Sequence, residues 1–356
     1  MTAAIGKPSA DKPTDTPGFF AKLLDGLYAI FTSRFLRRRF LFYLIAAFAA
    51  ITLNFIIPRL MPGDPVQLLF ARFQGKLDPR AFEAIKAQFG FVDGPLIEQY
   101  LLYLRSIITL DFGPSIMGFP VPVSQVIGGS LRWTLILAGI ASVLSFLIGT
   151  FLGVLAAWRR GGRIDNVLLP IASVFGAFPY FFVALLAVYI FGFQLDIFPT
   201  SHAYDTAIRQ DWRSTEFLWS VVYHMILPLF TIILTATGGW MLGMRNNMIG
   251  VLSQDYIVMA EAKGLADRRI MLMYAARNAI LPSLTAFAMS FGFIIAGLLL
   301  TEIVFSYPGM GYTFLLAINA RDYPLIQGIY LMITAAVLLA NFIADMSYVL
   351  LDPRAR

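Results

Sequence analysis

Six stretches of this chain run for eighteen or more residues without one Asp, Glu, Lys or Arg: Phe40–Ile57, Trp133–Trp158, Val167–Leu195, Phe217–Met244, Ala279–Thr301 and Tyr323–Ala344. A soluble helix needs a polar face for water and breaks its apolar runs accordingly. Runs of this length instead match the ~20 residues that carry a helix across a bilayer. Composition agrees, at 58% hydrophobic and 13% charged, where soluble domains hold about 25% charged residues. Hydrocarbon forces each segment to satisfy its own backbone, so helices are the expected form. The predicted fold is all-α and polytopic, with six transmembrane helices. The first run begins at residue 40 with no small-residue cleavage site after it, so it is predicted to be kept as a span rather than removed as a signal peptide.

The net charge of +6 is placed at span ends, which argues for a membrane surface and against nucleic acid. Residues 1–39, 158–166, 245–278 and the last tail hold 17 of the 27 Lys and Arg but only 8 of the 21 Asp and Glu. Positive charge collects on the cytoplasmic side. Both termini are therefore predicted to be cytoplasmic, consistent with an even number of spans. Cysteine is absent and histidine is limited to His202 and His224, which leaves no thiolate or histidine cluster for a metal. No cofactor is expected, and no serine–histidine–acid set or carboxylate pair suggests an enzyme.

Along the chain, residues 1–36 read as a tail rich in Pro, Lys, Asp and Thr followed by an interfacial amphipathic helix marked by Phe20, Leu23, Leu24, Leu27 and Phe31. Residues 37–60 form the first span, behind Arg37-Arg38-Arg39. Residues 61–130 form a long external loop. It opens on Met61-Pro62-Gly63-Asp64-Pro65 and should carry two short helices, one with Phe82, Ile85 and Phe89 on a face, the other with Leu96, Tyr100, Leu104 and Ile107 or Ile108. Such helices need an apolar cover from the membrane domain, from each other or from a partner. Residues 131–356 form the core with the other five spans. Gly238-Gly239 and Gly243 interrupt the apolar pattern of the fourth, where small faces are read as close helix packing ahead of sliding or a wide solute path. Among polar residues within spans, Asn54, His224, Asn341 and Asp345 stand out. Asp345 is expected to snorkel or to pair with an arginine such as Arg354, and His224 to sit at the interface.

One polar island, Asp255–Asn278, separates the fourth and fifth runs. It carries Lys263, Arg268, Arg269 and Arg277, with Arg245 just before it. Ser253 could cap a helix over 254–262, and Gly264 stands where a left-handed glycine would end it. Asp267 could cap a second helix with Ile270, Met273, Tyr274 and Arg277 along one stripe. Tyr256, Met259, Ala260 and Lys263 would share a side, and small Ala260 and Ala262 would let another surface approach. The residues alone leave two readings open, an ordinary basic loop and a docking element.

Ala260-Glu261-Ala262-Lys263-Gly264-Leu265, followed by Arg277-Asn278-Ala279-Ile280-Leu281-Pro282, resembles the EAA loop of ABC importer permeases of the dipeptide/oligopeptide type. Met61–Pro65, Asp111-Phe112-Gly113, Glu302 through Gly311, Arg321-Asp322-Tyr323-Pro324 and Leu351-Asp352-Pro353-Arg354 agree in order, so the resemblance covers about residues 36–356. Two positions depart from the wider pattern: Val258 where many permeases carry Glu, and Glu261 where a basic residue is usual. The resemblance implies the type I importer permease fold in a bacterial inner membrane. It implies a second, similar permease subunit, two ATP-binding subunits and an extracytoplasmic solute-binding protein as partners. It makes segment 253–278 the coupling element, with Tyr256, Ala260, Glu261, Ala262, Lys263 and Gly264 at the ATPase contact. The implied cargo is a di- or oligopeptide, with an oligosaccharide as the alternative. The chain has no G-x-x-x-x-G-K-[ST] phosphate loop, so ATP must be hydrolysed by other subunits. A secondary transporter driven by an ion gradient is the rival of a different class.

Overall fold

The computed structural model describes residues 34–60, 95–290 and 298–351. The predicted interfacial helix around Phe20–Phe31, the Met61–Pro65 turn, the helix bearing Phe82, Ile85 and Phe89, and most of the closing Leu351–Arg354 motif lie outside these residues. The helices, in order, are α1 (Arg34–Leu60), α2 (Leu96–Thr109), α3 (Val123–Trp158), α4 (Ile164–Ala177), α5 (Tyr180–Gln194), α6 (Thr215–Leu252), α7 (Asp255–Ala262), α8 (Asp267–Ser290), α9 (Leu299–Val304), α10 (Met310–Ala320) and α11 (Tyr323–Leu351). Helices α1, α3, α6, α8 and α11 are each long and apolar enough to cross a bilayer.

The run expected as the third span is the α4–α5 pair, bent by 98°. Pro179 explains the break. It lacks an N–H to continue the helix, and it forces Phe178 before it into an extended conformation (φ −79°, ψ 139°). Counting the pair as one span gives six.

The chain divides into two compact units. In the smaller, whose described residues are 34–46 and 342–351, Asp345 accepts a hydrogen bond from Tyr43 Oη at 2.6 Å and pairs with Arg39 at 3.0 Å. Phe342 packs edge-on against Phe40 and Tyr43. Asp345 thus pairs with an arginine, as expected, here Arg39 of the first helix, because the two helices lie side by side; Arg354 lies outside the described residues.

In the larger unit, residues 47–341, α3 and α6 cross closely. A methyl added to Gly149 would stand 2.6 Å from Trp240 Cβ, and one added to Gly153 would stand 2.6 Å from the Met241 carbonyl oxygen. Small residues at a crossing let backbones approach and gain dispersion contacts where lipid offers no hydrophobic drive. The glycines of the fourth span do not break it, since α6 is continuous through Gly238, and Gly238 serves close packing as expected. That glycine lets the Ala172 carbonyl of α4 rest against α6. Asn54, buried within α1, donates to Tyr103 Oη (2.8 Å) and to the Gln327 carbonyl (2.9 Å), joining α1 to α2 and α11. His224 contacts the Ser220 carbonyl at 2.8 Å, one turn back on its own helix.

Two buried carboxyl groups order the predicted external end. Glu302 accepts from Thr134 Oγ1 and from the Gly311 N–H, both at 2.6 Å, and Thr134 Oγ1 itself accepts from the Met310 N–H. Neither Gly309 nor Gly311 has room for a side chain beside this carboxyl group and Leu299. Asp322 accepts from Ser115 Oγ (2.5 Å) and from the N–H groups of Met117 (2.8 Å) and Leu325 (3.1 Å), so it caps α11 and anchors the segment before α3.

Candidate functional site

Helix α6 ends where Ser253 Oγ donates to the Gly250 carbonyl at 3.0 Å. Ser253 is therefore occupied by the helix behind it and does not cap α7, whose N-cap is Gln254 with no side-chain bond. Likewise Asp267 is the first residue of α8 rather than its cap, which is Ala266.

Helix α7 lies against the core through Ile257 and Ala260, both buried in a cluster with Val154, Met244, Met248, Ile270, Ala275 and Ala279. Its small Ala260 thus serves packing within this chain, and is turned away from the face that an approaching surface would meet. The outward side carries Val258 (59% exposed) and Met259 (58%), with Tyr256, Glu261, Ala262, Lys263 and Gly264 also exposed. Three apolar side chains on a segment otherwise rich in charge form a surface that water alone does not favour.

Gly264 closes α7 in the left-handed region at φ +69°. Its N–H donates to the Glu261 carbonyl at 2.8 Å, and the Leu265 N–H donates to the Ala260 carbonyl at 3.3 Å. This is the paired hydrogen-bond pattern of a Schellman ending, and Leu265 packs against the apolar cluster that holds Ala260. The turn sends the chain into α8, where Asn278 Nδ2 donates to Tyr256 Oη at 3.0 Å and to the Tyr274 carbonyl at 3.0 Å. The segment is therefore a braced helix–turn–helix.

The expected stripe of Ile270, Met273, Tyr274 and Arg277 is not formed. Residues Ile270–Ala276 make a wider π-type turn. One added residue per turn rotates the register, so Ile270, Ala275 and Ala279 face inward while Met273 and Arg277 face out.

The base of the segment is tied by a contact that sequence reasoning missed. Arg245 donates through Nε to Asp165 Oδ1 at 2.5 Å and through Nη2 to Oδ2 at 3.1 Å. Asp165 also accepts from the Gly161 N–H at 3.0 Å, and Gly161 turns the α3–α4 loop at φ +77°. On its other flank α6 is bonded to α8, from Asn247 Nδ2 to Ser283 Oγ at 3.0 Å. Asp165 and Arg245 were each visible only as members of separate basic segments. Nothing in an eighty-residue separation marks them as partners.

The profile of one family, the binding-protein-dependent transport system inner membrane component, matches residues 149–356. The chain is 33% identical over 307 residues to the oligopeptide transport system permease protein AppB of Bacillus subtilis, covering 85% of this chain and 92% of that one. It is 32% identical over 324 residues to the dipeptide transport system permease protein DppB of the same organism, covering 91% and 98%. It is 31% identical over 339 residues to the dipeptide transport system permease protein DppB of Escherichia coli, covering 91% and 98%.

Proposed function

From the premise that this chain belongs to the family of binding-protein-dependent transport system inner membrane components, and so is a multi-pass permease subunit rather than an enzyme, we propose that it passes a di- or oligopeptide across a bacterial inner membrane. A solute-binding protein delivers the peptide, a second permease subunit shares the path, and two ATP-binding subunits supply the energy. The names of the similar permeases support the peptide over an oligosaccharide. The basic ends of the spans support cytoplasmic termini.

Segment 253–278 is the coupling element in this reading. The observation that carries it is a rigidly terminated helix showing Tyr256, Val258 and Met259 outward in a chain that has no phosphate loop of its own. Glu261, Lys263 and Gly264 border that surface, and Ala260 supports it from behind. With Val258 in place of the more usual acid, the contact to the ATPase rests on apolar burial, with the Glu261 and Lys263 charges at its rim. ATP binding acts by favouring one arrangement of the spans, and only a segment in contact with the ATPase can report that preference to them.

The test is a complex reconstituted with its binding protein. Gly264→Pro removes both the N–H donor and the left-handed φ, and Glu261→Lys with Lys263→Glu reverses the rim. Both should lower the ATPase stimulation given by loaded binding protein. Normal stimulation in an assembled variant complex sinks the assignment. Uptake that collapses with an uncoupler at constant ATP would instead favour an ion-driven transporter. Mass spectrometry of the ligand carried by the binding protein decides between peptide and sugar.

A further inference from the structure

Helix α2 was expected to need an apolar cover, and the described residues supply only part of one. Its Tyr100 and Tyr103 pack on Phe55 of α1, at ring distances of 5.1 and 5.7 Å. Tyr100 Oη also meets Thr52 Oγ1 at 2.9 Å, and Gln99 accepts from both Arg59 Nε (3.3 Å) and Nη2 (3.2 Å). A second stripe, Ile97, Leu101, Leu104 and Ile108, follows helical spacing on a different face. Ile97 is 65% exposed, Leu101 59% and Ile108 83%. Glu98 and Arg105 occupy a third face, seven residues apart and both exposed.

The depth of these contacts identifies what covers the stripe. The uncharged run of α1 ends at Ile57, and a span needs that whole run to cross the hydrocarbon. At 1.5 Å per residue, Thr52 lies about 10 Å inward from Arg59. Asn54 contacts Gln327, which is itself a turn inside the start of α11. Helix α2 is therefore held against the last two turns of the span, below its polar end. On α1 the neighbouring Leu53, Ile56 and Ile57 are exposed and face the same medium.

We propose that α2 lies within the outer leaflet as an interfacial helix, with the Ile97–Leu101–Leu104–Ile108 stripe covered by lipid acyl chains and Glu98 and Arg105 at the level of the headgroups. An amphipathic helix of this kind seats its apolar face about 5–10 Å into the boundary between headgroups and acyl chains. The α2 part of the loop after the first span is then membrane-bound rather than free in water. The outer side rests on the cytoplasmic termini proposed above, and the depth is what this proposal adds. It does not rest on the identity of the solute or on the coupling assignment.

This chain has no cysteine, so each substitution places one label on it, and the unsubstituted complex, labelled in parallel, gives the background from the other subunits. The assembled complex, in nanodiscs of phosphatidylethanolamine and phosphatidylglycerol, is spin-labelled in turn at Ile97→Cys, Leu101→Cys, Ile108→Cys, Glu98→Cys and Arg105→Cys. Leu53→Cys serves as a lipid reference and Arg213→Cys as an aqueous one. Collision with oxygen, which concentrates in acyl chains, is compared with collision with a water-soluble nickel chelate. The three stripe positions should follow Leu53→Cys, with oxygen collisions exceeding nickel collisions, and Glu98→Cys and Arg105→Cys should reverse that order. Nickel collisions dominating at the stripe would overturn the proposal in favour of water. Low collision with both reagents would overturn it in favour of a protein cover, and dependence on added binding protein would name that cover.

Discussion

Replacing Arg245 by alanine removes both donors from the Asp165 carboxylate and leaves that buried group with the Gly161 N–H alone. Breaking a buried ion pair by deleting one partner costs roughly 3–5 kcal/mol. Arg245 is partly open to water, and exposure weakens such pairs, which brings the expected loss to about 2–3 kcal/mol. For a chain of this length, about 2 °C of melting midpoint per kcal/mol makes this a fall of about 4–6 °C. The assay is size-exclusion chromatography of the heated complex, followed by a fluorescent fusion. Asp165→Asn retains one acceptor and should lose less. The exchange Asp165→Arg with Arg245→Asp restores opposite charges and should recover part of the loss, since contacting pairs are not additive. A midpoint within about 1 °C of the native complex for Arg245→Ala, or an exchange equal to the sum of the two single changes, would refute the reasoning.

Burial pushes the Glu302 carboxyl up to about 7 from an ordinary 4.5. Such a group takes up its proton on folding, so its contribution to stability is greatest below about 4.5 and is lost as pH rises to about 7; melting of the native complex should show this decline, and Glu302→Gln should flatten it. Gly153→Leu should prevent the α3–α6 crossing and abolish monodisperse complex, whereas Gly139→Leu, where an added methyl meets open space, should leave it intact; equal behaviour of the two would contradict the crossing. Asn54→Leu leaves the buried Tyr103 hydroxyl without its donor and should cost about 1–3 kcal/mol, read as a lower melting midpoint. An unchanged midpoint would mean that water replaces the amide.

The spans were legible because hydrocarbon tolerates so few side chains that absence of charge over eighteen residues is itself a structural statement. Gly264 was legible for a similar reason, since a helix followed by a left-handed residue has few other solutions. What escaped was long-range or depended on backbone register. Pro179 lay in plain view inside the third run, yet its effect was hidden by the apolar character of both limbs. The π-type turn after Ile270 leaves no composition signal, and it changed which residues of α8 face inward. Ala260 looked like a contact residue because small side chains permit close approach on either side of a helix, and only the fold decides which side is covered. The Asp165–Arg245 pair required knowing that α4 lies on α6, which in turn follows from Gly238.

The 98° bend at Phe178–Pro179 also sets conditions on how the protein is made. The limbs α4 and α5, residues 164–177 and 180–194, extend only about 21 and 23 Å at 1.5 Å per residue, short of the ~30 Å hydrocarbon. Neither limb can be handed to the bilayer as a finished span, and the corner exposes backbone that lipid cannot hydrogen-bond. The surface that receives α4 is α6, which emerges from the ribosome later. The growing chain therefore holds an unfinished bent pair until roughly the position of Gly238 has emerged. Nascent chains halted after Gln194 should leave the pair open to protease, and chains halted beyond Leu252 should protect it.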